Sequence, residues 1–568
     1  MGRHRDEAGR RGISKGPVIA VGCVIVLVLA VLGWFQLRDR ISDQGVAAAQ
    51  TCVEGDAVLD VAADPDIATA VRTIADHYNE TAPVIRDHCV RVSVTDASSE
   101  SVGAALAGAD GGQWAGPGPA PALWIPQSSV SLARLADTPG VVSGVPRSVA
   151  WSPVVLAVPD ALRDGLTRAG IGWQDLARLQ TDPESLPALG LPGWRTLGLA
   201  LPPASDTTGL AGQAVTAAVT GAGTGPVTVA QAESQAATRQ LTALGLGSRA
   251  LGDVPPTAAE ALTALAAQDN PSSGAFHAVA VTDAALTALG ADNLSGYAPG
   301  GAGPVADHPA VVLGAGWVDE TRSRAAAQFA EFLRAPEQSE VLTAAGFTTG
   351  APDGSLAGAD PAAANAVLTP LTAPATPRAA TVLLDVSASM TQSDGSGTRL
   401  GNVSTALTEQ LATAPDDSEV GLWLYSRGLD GVRPYRIAVP TGPLSQTRDR
   451  IDSALDSVRA GTATSTYPSV ITAYDAAVSD YVAGRTNTIL LVTDGPNDDY
   501  SLTSSQFLRA IAAASDPARP VRVDVIAIGE NSDAATLQQL VDRTGGTMTT
   551  VPNAAGPELQ QALATTLG

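Results

Sequence analysis

The hydrophobic pattern divides this chain into short apolar runs set among helical periodicities. Val58–Ala62, Val90–Val94, Ala122–Ile125, Ser152–Val158, Leu197–Leu201 and His277–Val281 read as strands. Between them, apolar residues recur at helical spacing, as in Ile67–Tyr78, which Asp64-Pro-Asp66 can cap. A second series begins with Val382-Leu-Leu384, followed by Val420–Tyr425, Ile489–Val492, Val521–Ile528 and Met548–Val551, with Ile437–Val439 as a short edge strand. Helices are expected over Leu400–Leu411, Arg448–Val458, Pro468–Val482, Ala534–Val541 and Glu558–Leu567. Uninterrupted apolar strands alternating with helices indicate α/β folds whose strands are buried on both faces. The second series predicts a doubly wound sheet of about six strands.

The amino terminus differs from both series. Arg3, Arg5, Arg10, Arg11 and Lys15 precede an uncharged apolar run, Val18–Phe35, with Trp34 at its end. This predicts a basic cytoplasmic tail over 1–17 and a transmembrane helix over 18–37, with everything beyond outside the cell. A cleaved signal peptide is the alternative, but the small residues Ala47–Ala49 lie far beyond the apolar run. With Cys23 in that run, Cys52 and Cys89 are the remaining pair, expected as a disulfide rather than two buried thiols. The segment 351–379 is rich in Ala, Pro and Thr and reads as a linker between modules at 50–350 and 380–568. A formal charge of −23 over 568 residues argues against a nucleic-acid partner, which would need a basic face on the protein.

Candidate chemistry gathers where the central strands end. Val382-Leu-Leu384 stops at Asp385, and Ser387 and Ser389 follow at two-residue spacing. Ile489–Val492 ends in Thr493-Asp494-Gly495, and a Thr-rich loop, Gly461–Tyr467, lies between the two. Open α/β sheets place ligands outside the carboxyl ends of their strands, and a set of hard oxygens there suits Mg²⁺ or Mn²⁺. The alternative is that both serines cap a helix and Asp494 merely ends a strand. Asp385-x-Ser387-x-Ser389 with the later Thr-Asp-Gly resembles the metal-ion-dependent adhesion site of von Willebrand factor A (VWA) domains. The resemblance implies a metal set of Asp385, Ser387, Ser389, Asp494 and one Thr. Counting back from Tyr467 selects Thr464, the residue expected; counting forward from Gly461 selects Thr462. Ala388 stands where that family often has Gly.

The order of elements over 50–350, with Ala325–Thr348 as the nearest local match, is similar to two-lobed bacterial extracellular solute-binding proteins. That resemblance implies a periplasmic-binding-protein-like fold with Ser152–Val158 and His277–Val281 crossing between lobes. It also implies ligand contacts from strand-end loops, with Asp64, Ser99, Ser128, Ser205 and Thr207 as the nominated residues. For each hydroxyl a helix cap or turn is the competing role. No Gly-x-Ser-x-Gly, His-Glu-x-x-His or Cys-His set is present, so an enzyme is not expected. The function implied is a membrane-anchored extracellular binding or adhesion protein whose divalent-metal site takes an acidic group of a protein or envelope ligand. A solute receptor or regulator tied to an ABC-type transporter, with a small solute, is the alternative.

Overall fold

The computed structural model describes Trp34 and residues 52–108, 113–136, 138–530 and 533–567. The expected membrane span lies outside these residues except for Trp34. Among the described residues no helix is long and apolar enough to cross a membrane. They fall into two compact units, one formed by residues up to Gln127, a segment ending at Ala150, and His308–Thr349; the other holds the rest.

The first unit is built on a mixed sheet. Gly55–Ala63 lies between His88–Asp96 and Leu123–Ile125, both parallel to it. Pro309–Val312 returns antiparallel beside Leu123–Ile125. The helices Pro65–Glu80 and Glu320–Leu333 bury Ile67, Val71 and Ile74, and Phe329 and Leu333. Cys52 and Cys89 form a disulfide, closing a separation of 37 residues. Such a loop is worth about 3–4 kcal/mol in the chain-entropy model.

Among the described residues, the second unit contains two large sheets and a two-stranded ribbon of Ser393–Asp394 and Gly397–Thr398. In the first, Ser152–Pro159 and Ala278–Thr282 pair antiparallel and lie wholly within this unit. The expectation that they cross between lobes is therefore corrected. They bury both faces, which gives the same apolar run as a crossing strand would.

The segment 351–379 also departs from its reading as a linker. Pro361–Thr372 is a helix, capped by Asp360, that buries Ala363, Ala364, Val367 and Leu371. It packs so closely that a Cβ on Gly212 would lie 2.5 Å from Leu371 Cδ1, and one on Gly245 would lie 2.6 Å from the Pro370 carbonyl. Glycines on the two facing helices provide that approach, and they are over a hundred residues away in sequence.

The second sheet runs in the order Arg433–Pro443, Glu419–Asp430, Ala379–Asp385, Asn487–Thr493, Val521–Ile528, Met548–Val551. All neighbours are parallel except the first pair. Val382 and Leu384 pack into one core with Val403, Leu407 and Leu563, while Leu383 packs into the other with Val470, Phe507 and Leu540. Two cores explain the uninterrupted apolar run. The short strand expected at Ile437–Val439 is one part of an eleven-residue edge strand carrying Arg433, Pro434, Arg436 and Pro440. Charge and proline suit an unpaired edge and hide it from a hydrophobic reading.

His277 shows how the second unit uses a buried polar group. Its Nδ1 accepts the Gly198 N–H at 3.0 Å, and the ring also hydrogen-bonds to the backbone of Thr196. Burial pushes its pKa below the usual 6.5. The folded form is then neutral where the unfolded chain binds a proton, so stability falls as pH drops below about 6.5. Thermal midpoints at pH 8 and pH 5 should drop more for wild type than for His277→Gln; equal drops would remove His277 as the cause.

Candidate metal centre at the sheet's carboxyl edge

From the Ala379–Asp385 strand the chain moves to one side, to Glu419–Asp430, and later returns on the other side as Asn487–Thr493. The strand order reverses between Ala379–Asp385 and Asn487–Thr493, which opens a crevice beyond their carboxyl ends. Asp385 and Asp494 stand at those two ends, and their residues are 0% and 1% exposed.

Each carboxylate is held by the other's surroundings. Asp385 Oδ1 accepts the Ser387 N–H at 2.8 Å, and Oδ2 accepts the Thr493 hydroxyl at 2.8 Å and the Tyr425 phenol at 3.3 Å. Ser387 and Ser389 hydroxyls lie 2.9 Å apart, and Ser389 donates to Asp494 Oδ1 at 2.6 Å. Arg399 Nη1 donates to Asp494 Oδ2 at 2.8 Å. Burial lifts the Asp385 carboxyl to about 6; hydrogen bonds from Ser387 and Thr493 oppose this, and the Asp494 charge adds to it. Among the described residues, no Lys, Arg or His side chain pairs with Asp385, whereas Asp494 has Arg399.

The Thr-rich loop reaches the same crevice. Gly461 N–H donates to the Val386 carbonyl at 2.6 Å, and Ala388 N–H to the Thr462 carbonyl at 2.7 Å. A Cβ placed on Gly495 would lie 3.6 Å from Thr464 Oγ1 and 3.7 Å from Ser389 Oγ, so these two hydroxyls bracket one small space. Thr462 instead turns its hydroxyl to the Arg427 carbonyl at 2.9 Å. The structure thus brings Asp385, Ser387, Ser389, Thr464 and Asp494 together. It adds Thr493, Tyr425 and Arg399, which sequence reasoning missed. Thr493 stood inside the recognised Thr-Asp-Gly; Arg399 had no local signal.

The residues nominated in the first module separate into internal pairs. In the first unit, Asp64 Oδ2 accepts the Ser99 N–H at 3.0 Å and the Ser99 hydroxyl at 2.5 Å, while Oδ1 caps its helix through Asp66 N–H. In the second, Asp206 Oδ2 accepts Ser128 N–H at 3.1 Å and Ser128 Oγ at 2.9 Å, with Ser131 Oγ at 2.7 Å. Ser205 Oγ lies 2.9 Å from Thr207 Oγ1, which donates to the Ala280 carbonyl at 2.7 Å. The capping role is realised for Asp64 and Ser128.

Comparison with known proteins agrees with both modules. Residues 59–348 match the family model described as bacterial extracellular solute-binding protein, and 381–497 match von Willebrand factor type A domain. Uncharacterized proteins of two Mycobacterium tuberculosis strains are 34% identical over 595 residues, covering 99% of this chain and 84% of theirs. The chain belongs to the bacterial extracellular solute-binding protein family. Both resemblances read from the sequence are borne out, and this solute-binding protein carries a VWA domain behind its family module.

Among solved structures, it is similar to a von Willebrand factor type A protein from Catenulispora acidiphila. That match has 18% identity over 34% of this chain and 43% of that one, with a TM-score of 0.28. The periplasmic molybdate-binding protein of Azotobacter vinelandii is 14% identical over 52% of this chain and all of that one, with a TM-score of 0.30.

The donor chemistry fits a hard divalent ion: two carboxylates and three hydroxyls, without nitrogen or sulfur. Among the described residues, no three His, Cys, Asp or Glu side chains converge to hold a metal. An ion in the VWA crevice of this solute-binding protein would therefore rely on neutral hydroxyls beside the two aspartates. The bond from Thr493 to Asp385 is fully buried, and losing it leaves an acceptor short of a donor. Thr493→Val should cost about 1–3 kcal/mol in denaturant unfolding. Thr462→Val, at an exposed hydroxyl, should stay within about 0.5 kcal/mol. Equal losses would show that the Asp385 network carries no special weight.

Proposed function

We propose that this is a membrane-anchored, non-enzymatic surface protein whose VWA domain binds an acidic group of a protein or envelope ligand through Mg²⁺ or Mn²⁺. The anchor is the apolar run Val18–Phe35, and both modules lie outside the cell. The observation that carries the reading is the pair of buried carboxylates at adjacent strand ends with three hydroxyls around them. Asp385 and Asp494 supply the charge, and Ser387, Ser389 and Thr464 supply neutral oxygens. A divalent ion bound there offers an open coordination position, and neutral donors leave it enough positive charge to attract a carboxylate. Thr493 and the Ser387 N–H fix the orientation of Asp385, and Ser389 fixes that of Asp494.

Calorimetry on the full chain tests this. Asp385→Ala should weaken Mg²⁺ binding at least about tenfold, since it removes formal charge beside the ion. Ser387→Ala and Thr464→Val should weaken it several-fold, and Thr462→Val should leave it unchanged. Capture of an envelope ligand should vanish in chelator and return with Mg²⁺. Equal and negligible uptake by wild type and Asp385→Ala would end the reading.

Family membership favours a second reading, a solute receptor or regulator associated with an ABC-type transporter. The side chains narrow it. Asp64 already holds Ser99 in the first unit, and Asp206 holds Ser128 and Ser131 in the second. An anion needs free donors, and the N–H and hydroxyl of Ser99 and of Ser128 are each already taken by a carboxyl group of their own unit. Thermal shift assays should show no stabilisation by sulfate or phosphate at millimolar concentration. Saturable stabilisation by either would refute the narrowing.

A further inference from the structure

Arg399 is placed against the ordinary preference of its position. It is the first residue of the helix Arg399–Thr413, after the capping Thr398, where the helix dipole disfavours a cation. Its backbone N–H is fixed by the Gln392 carbonyl at 3.0 Å. Its guanidinium reaches over the carboxyl ends of two strands. Nη1 meets Asp494 Oδ2 at 2.8 Å, and Nη2 would lie 3.7 Å from a Cβ on Gly529. Asp494 has no exposed side-chain surface, and Arg399 is 22% exposed. Among the described residues, Arg399 is the one cation ion-paired with either carboxylate of the crevice.

Two carboxylates buried together need positive charge nearby. Without a divalent ion, Arg399 supplies part of it and holds one oxygen of Asp494. Ser389 donates to the other oxygen, so both are engaged. A divalent ion held by Ser389 and Asp494 would share the Asp494 carboxylate with the guanidinium. Like charges sharing one carboxylate in a buried crevice repel enough to change affinity about tenfold or more.

We propose that Arg399 is the resident counter-ion of the VWA crevice: it holds Asp494 while the site is metal-free, leaves it when a divalent ion binds, and so lowers the site's affinity. This rests on the divalent-ion reading above. It makes metal loading an exchange of cations rather than the filling of a preformed cage. The Arg399 side chain is partly exposed, so it can move outward without opening the core.

The test is Mn²⁺ binding to the full-length chain, followed by the electron paramagnetic resonance of free Mn²⁺. Arg399→Gln should bind at least tenfold more tightly than wild type. In chelator it should melt at a lower temperature, with Mn²⁺ raising its midpoint more than that of wild type. Equal or weaker Mn²⁺ binding by Arg399→Gln would overturn the proposal while leaving the metal reading intact. No uptake by either protein would end the metal reading, and this proposal with it. Should the variant not fold, a wild-type crystal structure with Mn²⁺ decides. Arg399 Nη1 out of hydrogen-bond reach of Asp494 supports the exchange, and the ion pair intact beside bound Mn²⁺ overturns it.

Discussion

The constraint on which the carboxyl-terminal module depends is the burial of two aspartates at neighbouring strand ends. Asp385 and Asp494 are almost wholly excluded from water, and an uncompensated charge in that position is costly. Nearly every feature of the surrounding loops can be traced to that cost. Thr493, Ser387 and Tyr425 donate to one carboxylate, and Ser389 and Arg399 to the other. The Thr-rich loop is fastened by Gly461 and Thr462 to the backbone of Val386–Ala388. Even the strand order serves the same end, since the reversal beside Ala379–Asp385 leaves room above the two strand ends.

How much of this was legible in the sequence depends on how local the cause is. The central strands of the second sheet were readable because each is buried on both faces and written as an apolar run. Asp385, Ser387, Ser389 and Asp494 were readable because strand-end Asp and the spacing of the two serines are local signals, whereas Thr464 was chosen over Thr462 only through the family's spacing to Tyr467. Arg433–Pro443 was read short because an edge strand is specified by its partner and tolerates the charge and proline that mark it as loop. The helix Pro361–Thr372 was read as linker because alanine and proline give little amphipathic contrast. Its burial is decided by Gly212 and Gly245 on other helices. Arg399 lies 95 residues from Asp494, and no pattern around it announces the ion pair.

The solute-binding module shows a different limit. Ser99, Ser128, Ser205 and Thr207 sit at strand ends and helix starts, where hydroxyls serve ligands in some proteins and their own backbone in others. Sequence could nominate them but not say which use applies. Side-chain geometry assigns internal work to each: Ser99 to Asp64, Ser128 to Asp206, Ser205 to Thr207, and Thr207 to the Ala280 carbonyl. Carboxyl groups at Asp64 and Asp206 already occupy the donors of Ser99 and Ser128 that an anion would need. Family membership therefore establishes the scaffold, while these occupied donors bear on which solute chemistry it can hold.

The overall charge constrains the proposed function further. The chain carries −23 at neutral pH, and the proposed partner presents a carboxylate. Long-range attraction cannot bring two acidic surfaces together, so electrostatic steering is not where affinity arises. At physiological ionic strength the repulsion is screened beyond about 8 Å. What remains must act at contact. Coordination meets that requirement, because it depends on a cation set among neutral hydroxyls rather than on net charge. A site with three carboxylates would hold the same ion more tightly but leave less of its charge for a ligand. The use of hydroxyls at Ser387, Ser389 and Thr464 rather than a third acid is on this reasoning what suits the crevice to binding another carboxylate.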